Sequence, residues 1–311
     1  MLKGYCVISD YSQEAIRMFE LAGIKLEISP SEKRPGEEEL KKLVQEYDIL
    51  IIGAKEKMTL AVYECATRLK ILGTLSIGTD HIVEKFLSSR KIKVFNCPKS
   101  NVISVAEHTF GLILALQKKV VEGNNAAING SGRNGINGLS HDLFGKKIGV
   151  IGAGKIATEV INIAKAFHMD VLCYTFNPQK HFDLKCKGVN FVDLDMLLCE
   201  SDIISVHLPL SDLTEELIND EKIKLIKKSA ILINTSRRQI MDTSYLLEHA
   251  DKNSNFGVGL DIDIEGLEEV IGKQRNNVLI TPHIAGVSLE AIIRMDTELA
   301  ESITKHLKFR I

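Results

Sequence analysis

Residues 150–160 read VIGAGKIATEV. An apolar run from Lys146 enters a Gly-x-Gly turn at Gly152 and Gly154, and a helix-forming stretch leaves it with Ala157 at the third small position. A strand that turns on glycine straight into a helix is half of a parallel βαβ unit. Gly152 permits the tight turn, Gly154 leaves the backbone open to close approach, and the helix N-terminus, starting at Lys155 and Ile156, favours negative charge. In this βα setting the pattern fits the pyrophosphate of a dinucleotide. The other reading is a glycine turn that serves the fold alone.

The alternation extends outward in both directions. After the turn, short apolar runs recur at DVLCYTF, DIISVHL, AILINTS, NFGVGLDI and NVLIT, with helical stretches near 155–168, 194–200, 219–228, 242–250 and 288–308. Before it, strands are expected at GYCVIS, KLEIS, DILIIG, KILGTLS and KVFNC, with helices at 12–22, 37–46, 59–67 and 80–89. Strands separated by helices make parallel sheets covered on both faces, so the expected fold class is α/β with two doubly wound parallel-sheet domains. A chain of 311 residues is long enough for both.

Between the two series lies SVAEHTFGLILALQKKVV, residues 104–121, where Ser104 and Glu107 form an S-x-x-E capping box. This helix is apolar nearly all round, which predicts burial between domains or subunits. Residues 122–142, EGNNAAINGSGRNGINGLSHD, show no periodicity. They read as a flexible surface loop or as an arm ordered against a partner subunit.

Composition excludes several classes. The formal charge is −2 with 26% charged residues, so there is no basic excess to hold nucleic acid or an anionic membrane. No apolar run reaches the roughly 18 residues a membrane span needs, and the first residues, MLKGYCVISDYSQ, carry too short an apolar stretch for a signal peptide. The six cysteines form no CxxC pair and most sit in apolar surroundings, which predicts reduced thiols in a cytoplasmic protein and no metal site.

Chemistry concentrates at predicted strand ends. The second strand of the later series ends in VLCYTFNPQK, with Thr175 near the point where an acidic residue would grip ribose hydroxyls. An uncharged strand end tolerates a 2′-phosphate better than an aspartate would, and Lys180 follows, so the cofactor is read as NAD or NADP with NADP slightly favoured. AILINTSRR ends in Arg237 and Arg238, GVGLDIDIEG in Asp261, Asp263 and Glu265, and LITPHIAG in His283. Asp263 is read as solubilising charge. In doubly wound sheets ligands bind at the carboxyl ends of strands. A guanidinium, a carboxylate and an imidazole there, beside a dinucleotide, suggest hydride chemistry on an anion.

VIGAGKIA, HLPLSDLT, INTSRR, GVGLDI and TPHIAG, in this order, resemble the D-isomer-specific 2-hydroxyacid dehydrogenases, and SIGTDHI and VFNCPKSNVISVAEHTFGLILAL in the first half fit as well. The family includes phosphoglycerate dehydrogenases and glyoxylate and hydroxypyruvate reductases. The resemblance implies a Rossmann nucleotide domain, residues 102–286, inserted into a flavodoxin-like substrate domain, residues 1–101 and 287–311. It implies that Arg237 binds the carboxylate and carbonyl of a small 2-oxo acid and that His283 is the acid/base. Glu265 would support the imidazole, stabilising its charged form and fixing its tautomer. Backbone N–H groups near Lys55 and Gly78, and Asn101, would contact substrate. Thr235 and Asp261 would face the nicotinamide, His207 and Pro209 the adenine side, and Gly286 would close the cofactor set. The helix from Ser104 and the Gly/Asn-rich segment would build a homodimer, and a cleft would close over the substrate.

The sequence departs from the family pattern in three places. Arg238 stands where the family often has glycine, and Thr175 replaces the acidic ribose residue. The supporting glutamate belongs at the position of Gly266, one residue after Glu265, so Glu268 or Glu269 are alternative partners for His283. The family also contains nucleotide-sensing corepressors, so a binding module of the same fold is the alternative to an enzyme.

Overall fold

The computed structural model describes residues 2–79, 81–82, 90–263, 265 and 275–308. The chain divides into two compact units, Met1–Asn101 with Val287–Ile311, and Val102–Gly286. Both are parallel α/β sheets.

The first unit runs β1 (Leu2–Cys6), α1 (Gln13–Leu21), β2 (Ile24–Ile28), α2 (Glu37–Glu46), β3 (Ile49–Ile52), α3 (Leu60–Glu64), β4 (Ile71–Thr74) and β5 (Lys93–Phe95). Its five strands lie in the order β2-β1-β3-β4-β5, the flavodoxin order. Burial explains the centre of the sheet. Ile49, Leu50, Ile51 and Ile52 are all fully enclosed, each contributing roughly 1.5–3 kcal/mol, as expected where helices cover both faces. Helix caps are local: Ser12 Oγ accepts the amide of Ala15, and Thr59 Oγ1 that of Val62. The expected helix at 80–89 lies almost wholly outside the described residues.

The second unit opens with α4 (Val102–Gln117) and α5 (Val120–Ile128), followed by β6 (Lys147–Ile151), α6 (Lys155–Ala166), β7 (Asp170–Tyr174), α7 (Phe182–Cys186), β8 (Asn190–Phe191), α8 (Leu194–Glu200), β9 (Ile203–Val206), α9 (Asp220–Leu225), β10 (Ile231–Asn234), α10 (Thr243–Lys252), β11 (Gly257–Asp261) and β12 (Val278–Thr281). The strands lie in the order β12-β11-β10-β9-β6-β7-β8. Counted from β6 this is 7-6-5-4-1-2-3, the dinucleotide-domain order with one further strand, and its switch point falls between β6 and β9. Helix α11 (Leu289–Lys308) returns to the first unit, where Leu299, Ala300 and Ile303 join the core under β4.

Three local expectations give way. Helix α4 begins at Val102, so Ser104 lies buried inside it and does not cap it. The helix also stops at Gln117, because Lys119 takes a left-handed φ of 54° and α5 starts anew. Part of the Gly/Asn-rich segment is this second helix, although Gly123, Asn124 and Asn125 are poor helix formers. Buried Glu122 offsets that weakness: it accepts the amide of Asn137 at 2.7 Å and pairs with Lys119 at 3.2 Å, so tertiary bonds hold what propensity would not. Finally, α7 and β8 lie in a stretch to which the sequence pattern assigns no element. Five residues and two residues are too few to show a period.

Helix α11 carries a buried carboxylate. Asp296 is 1% exposed, accepts the amide of Ser12 at 2.8 Å, and faces Asp10; burial pushes its carboxyl up to about 6. The folded chain therefore holds that proton more tightly than the unfolded chain, whose carboxyl titrates near the ordinary value of 3.8. The stabilising effect of protonation is complete below about 4 and is lost as pH rises through about 6. Asp296→Asn keeps an acceptor for Ser12 and removes the charge. It should raise stability at pH 7 by on the order of 2–3 kcal/mol relative to the parent, with the gain vanishing near pH 4. Paired denaturation curves from pH 4 to 7 check this, and a pH-independent difference would contradict it.

Candidate active site

The turn after β6 is built by exclusion. Gly152 has φ +109°, its amide donates to the carbonyl of Tyr174 at 2.8 Å, and a Cβ placed on it would stand 2.5 Å from the carbonyl oxygen of His207. Only glycine fits there. Gly154 is the N-cap of α6 and is exposed, with no atom within 4 Å of where a Cβ would stand. Lys155 is exposed and Ile156 half-buried in the first turn, while fully buried Ala157 seats the helix on the sheet. The N-terminus of α6, twelve residues long, thus begins on an exposed residue that carries no side chain. Those features fit the pyrophosphate of a dinucleotide cofactor.

Beside this turn, β7 ends at Tyr174 and half-buried Thr175 follows. Lys180 closes the exposed 3-10 turn Pro178–Lys180. His207 follows β9; its amide donates to Ile151 at 2.8 Å and its Nε2 lies 2.7 Å from Ser205 Oγ. Burial pushes this imidazole down to about 3, so it is neutral at ordinary pH. Pro209 is exposed, and its carbonyl accepts from Thr214 Oγ1 at 2.7 Å.

At the end of β10 the fully buried Asn234 ties the loop into a knot. Its Oδ1 accepts from the amide and hydroxyl of Ser236 at 2.8 and 2.7 Å, and its Nδ2 donates to the carbonyl of Arg237 at 2.9 Å. The half-buried Arg237 guanidinium donates back to the Ser236 carbonyl at 3.1 Å. Arg238 reaches the carbonyl oxygen of Glu265 at 2.7 Å. Thr235 is buried, with Oγ1 3.0 Å from Thr109 Oγ1 on α4.

Asp261, at the end of β11, is fully buried. Its carboxylate accepts from Thr281 Oγ1 at 2.6 Å and from the amides of Ile284 and Ala285, both at 2.8 Å. His108 of α4 stands 3.0 Å from Thr281 Oγ1. Asp261 thus ties the end of β12 to the loop that carries His283, a residue held at φ +54°. The ring of His283 meets Asp263: Nδ1 lies 3.2 Å from Oδ1. This differs from the expectation for Glu265, which is exposed and touches Arg238 through its carbonyl. Gly266, Glu268 and Glu269 lie outside the described residues. Half-buried Gly286 ends the unit.

Arg237, Asp261 and His283 thus stand at or just past the carboxyl ends of three neighbouring strands, β10, β11 and β12, of one sheet. In the first unit, Lys55 is exposed in a loop whose Gly53 amide donates to buried Glu56 at 2.7 Å, and Glu56 pairs with Arg34. The carbonyl of Gly78 accepts from Ser76 Oγ at 2.7 Å. Asn101 Oδ1 is buried with no hydrogen-bond partner among the described residues. Among those residues, too, no group of three or more His, Cys, Asp or Glu side chains is placed to hold a metal ion.

Residues 110–285 match the D-isomer specific 2-hydroxyacid dehydrogenase, NAD binding domain. The chain belongs to the D-isomer-specific 2-hydroxyacid dehydrogenase family. It is 34% identical to a hydroxypyruvate reductase of Thermotoga maritima over 91% of this chain and 92% of that one. A solved acyclic imino acid reductase in complex with NADPH and D-Arg superposes with a TM-score of 0.86 at 30% identity, covering 99% and 98% of the two chains. A D-lactate dehydrogenase from Aquifex aeolicus, complexed with NAD and lactic acid, gives 0.80 at 31% identity, covering 99% and 96%. Membership accounts for the two parallel sheets and the glycine turn. The sequence does not single out Asn234 or His108, and Asp263 reads there as solubilising charge. Asn234 stands within the INTSRR motif, but its bonds depend on a loop conformation, and His108 meets Thr281 across 173 positions.

Proposed function

We propose that the protein is an NAD(P)-dependent reductase of small 2-oxo acids, of the glyoxylate or hydroxypyruvate class, acting reversibly on the corresponding D-2-hydroxy acids. The observation that carries this reading is Arg237 and His283 at the carboxyl ends of β10 and β12, in a sheet whose first turn suits a dinucleotide. The Arg237 fork would bind the substrate carboxylate and polarise the carbonyl. His283 would give its proton to the carbonyl oxygen, and take one from the hydroxyl in the reverse direction. The nicotinamide ring, when bound, supplies or accepts the hydride. From the first unit, backbone N–H groups near Lys55 and Gly78, and the Asn101 side chain, are proposed as substrate contacts. The named relatives are reductases and dehydrogenases, which favours turnover over the corepressor reading.

NADP(H) is proposed as an accepted cofactor and slightly favoured. The support is uncharged Thr175 just past the end of β7, exposed Lys180, and the NADPH complex of one 30%-identical neighbour. A cytoplasmic setting suits the six free cysteines. No helix among the described residues is long and apolar enough to cross a membrane. A homodimer through α4 and α5 is supported by exposed Ile103, Val120, Val121 and Ile128.

The test is a panel of glyoxylate, hydroxypyruvate, pyruvate, 2-oxoglutarate and 3-phosphohydroxypyruvate with NADH and with NADPH. Turnover of at least one short 2-oxo acid is expected, and none with either cofactor would refute the reading. Thr175→Asp should depress kcat/KM for NADPH by ~10-fold or more, because a like charge would stand beside the 2′-phosphate. An unchanged ratio of the two cofactors would show that the ribose is read elsewhere.

A further inference from the structure

The loop that carries His283 is fixed through its backbone, and that leaves one freedom unaccounted for. Asp261 holds the amides of Ile284 and Ala285, and the His283 amide donates to the Thr281 carbonyl at 2.9 Å. These bonds keep a non-glycine residue at φ +54°, a conformation that survives only where its surroundings impose it. They place the Cα and Cβ of His283. They do not decide which way round the imidazole sits, or which ring nitrogen bears the proton.

A neutral imidazole has one N–H and one lone pair, so the partner of one nitrogen dictates the state of the other. The only side chain among the described residues that bonds the His283 ring is Asp263, with Oδ1 at 3.2 Å from Nδ1. A carboxylate only accepts. Facing Nδ1, it selects the Nδ1–H tautomer of the neutral ring and turns Nε2 outward as the atom that exchanges a proton.

We propose that Asp263 is the positioning residue of His283, setting the orientation and tautomer of its imidazole through the Nδ1–Oδ1 contact. The proposal rests on the reading of His283 as the acid/base. Asp263 stands two residues after Asp261, and the carboxylates divide the work: Asp261 anchors the loop and Asp263 the ring. The side chains of Asp263 and His283 are 73% and 39% exposed. So exposed a pair contributes little to folding, and its removal should be felt in turnover and not in stability.

The test uses Asp263→Ala, Asp263→Glu and His283→Ala in the full chain. In Asp263→Ala, kcat for 2-oxo acid reduction should fall ~10- to 100-fold, while KM for the acid and Kd for the reduced cofactor stay within about twofold. Asp263→Glu should recover part of the loss. Long-range ¹H–¹⁵N spectra of the imidazoles, with His283 identified by its absence in His283→Ala, give a readout that needs no activity. The parent should show the Nδ1–H tautomer at alkaline pH, and Asp263→Ala should shift it toward Nε2–H. Parental kcat and tautomer in Asp263→Ala, with His283→Ala inactive, would overturn the positioning role and leave the acid/base reading standing. Parental turnover in His283→Ala would overturn both.

Discussion

Gly152→Ala is expected to abolish cofactor-induced stabilisation at cofactor concentrations that saturate the parent, and to lower the melting temperature of the free protein as well. The reason is geometric. The added Cβ would stand 2.5 Å from a backbone oxygen, that of His207, at a residue whose φ of +109° already excludes side chains. Neither neighbour can yield. The His207 amide is bonded to Ile151 and the Gly152 amide to Tyr174, both at 2.8 Å, so relief must part β6 from β9 or β7. Strain of this kind costs about 2–4 kcal/mol, and the relaxation moves the N-terminus of α6, where the pyrophosphate is expected to sit. Gly154→Ala is the contrast. Gly154 has φ −74° with nothing within 4 Å of a Cβ, so the melting temperature should hold while the methyl narrows the approach and weakens cofactor binding. Thermal shift with and without NADH or NADPH separates the two effects. A Gly152→Ala protein with parental melting temperature and parental cofactor response would sink the argument.

The same turn shows why part of the molecule was legible in sequence. Gly152, the apolar run before it and Ala157 after it act within eleven residues, and their roles follow from local sterics. The buried strands are legible for a similar reason: ILII of β3 is apolar throughout because helices cover both faces of its sheet. Helix α2 falls on the expected residues, 37–46, because three glutamates open it and an apolar stripe runs through it. Where folding depends on distant partners the signal fades. Helix α5 is sustained by buried Glu122, which no local pattern announces in a Gly/Asn-rich stretch. Asp263 looks like surface charge until the chain brings His283, twenty positions on, to its side. Asp261 was legible as a strand-end carboxylate, but not its bonds to two amides beyond the next strand. The residue types at the site could be read; which carboxylate meets which group could not, because that is decided by loop conformation.

Arg237→Lys is expected to lower kcat/KM for the preferred 2-oxo acid by ~30- to 1000-fold, a loss of about 2–4 kcal/mol of transition-state stabilisation. A lysine keeps the charge, so the size of the loss measures what the planar fork does beyond charge. The fork is pre-oriented. Fully buried Asn234 binds the Ser236 amide and hydroxyl and the Arg237 carbonyl, fixing the backbone from which the guanidinium projects, and Arg237 itself bonds the Ser236 carbonyl. A flexible ammonium on the same backbone could meet a carboxylate or a carbonyl oxygen, but not both in one plane. Since those backbone bonds survive the substitution, the melting temperature and cofactor affinity should stay close to parental values, and the defect should appear in KM for the acid as well as in kcat. Arg238→Ala is the control. Its guanidinium is engaged with the Glu265 carbonyl, so its removal should change kcat/KM far less. If Arg237→Lys turned over the same acid at near-parental efficiency while Arg238→Ala did not, the substrate would be held by the second arginine, and the strand-end position of Arg237 would have to be explained by the fold alone.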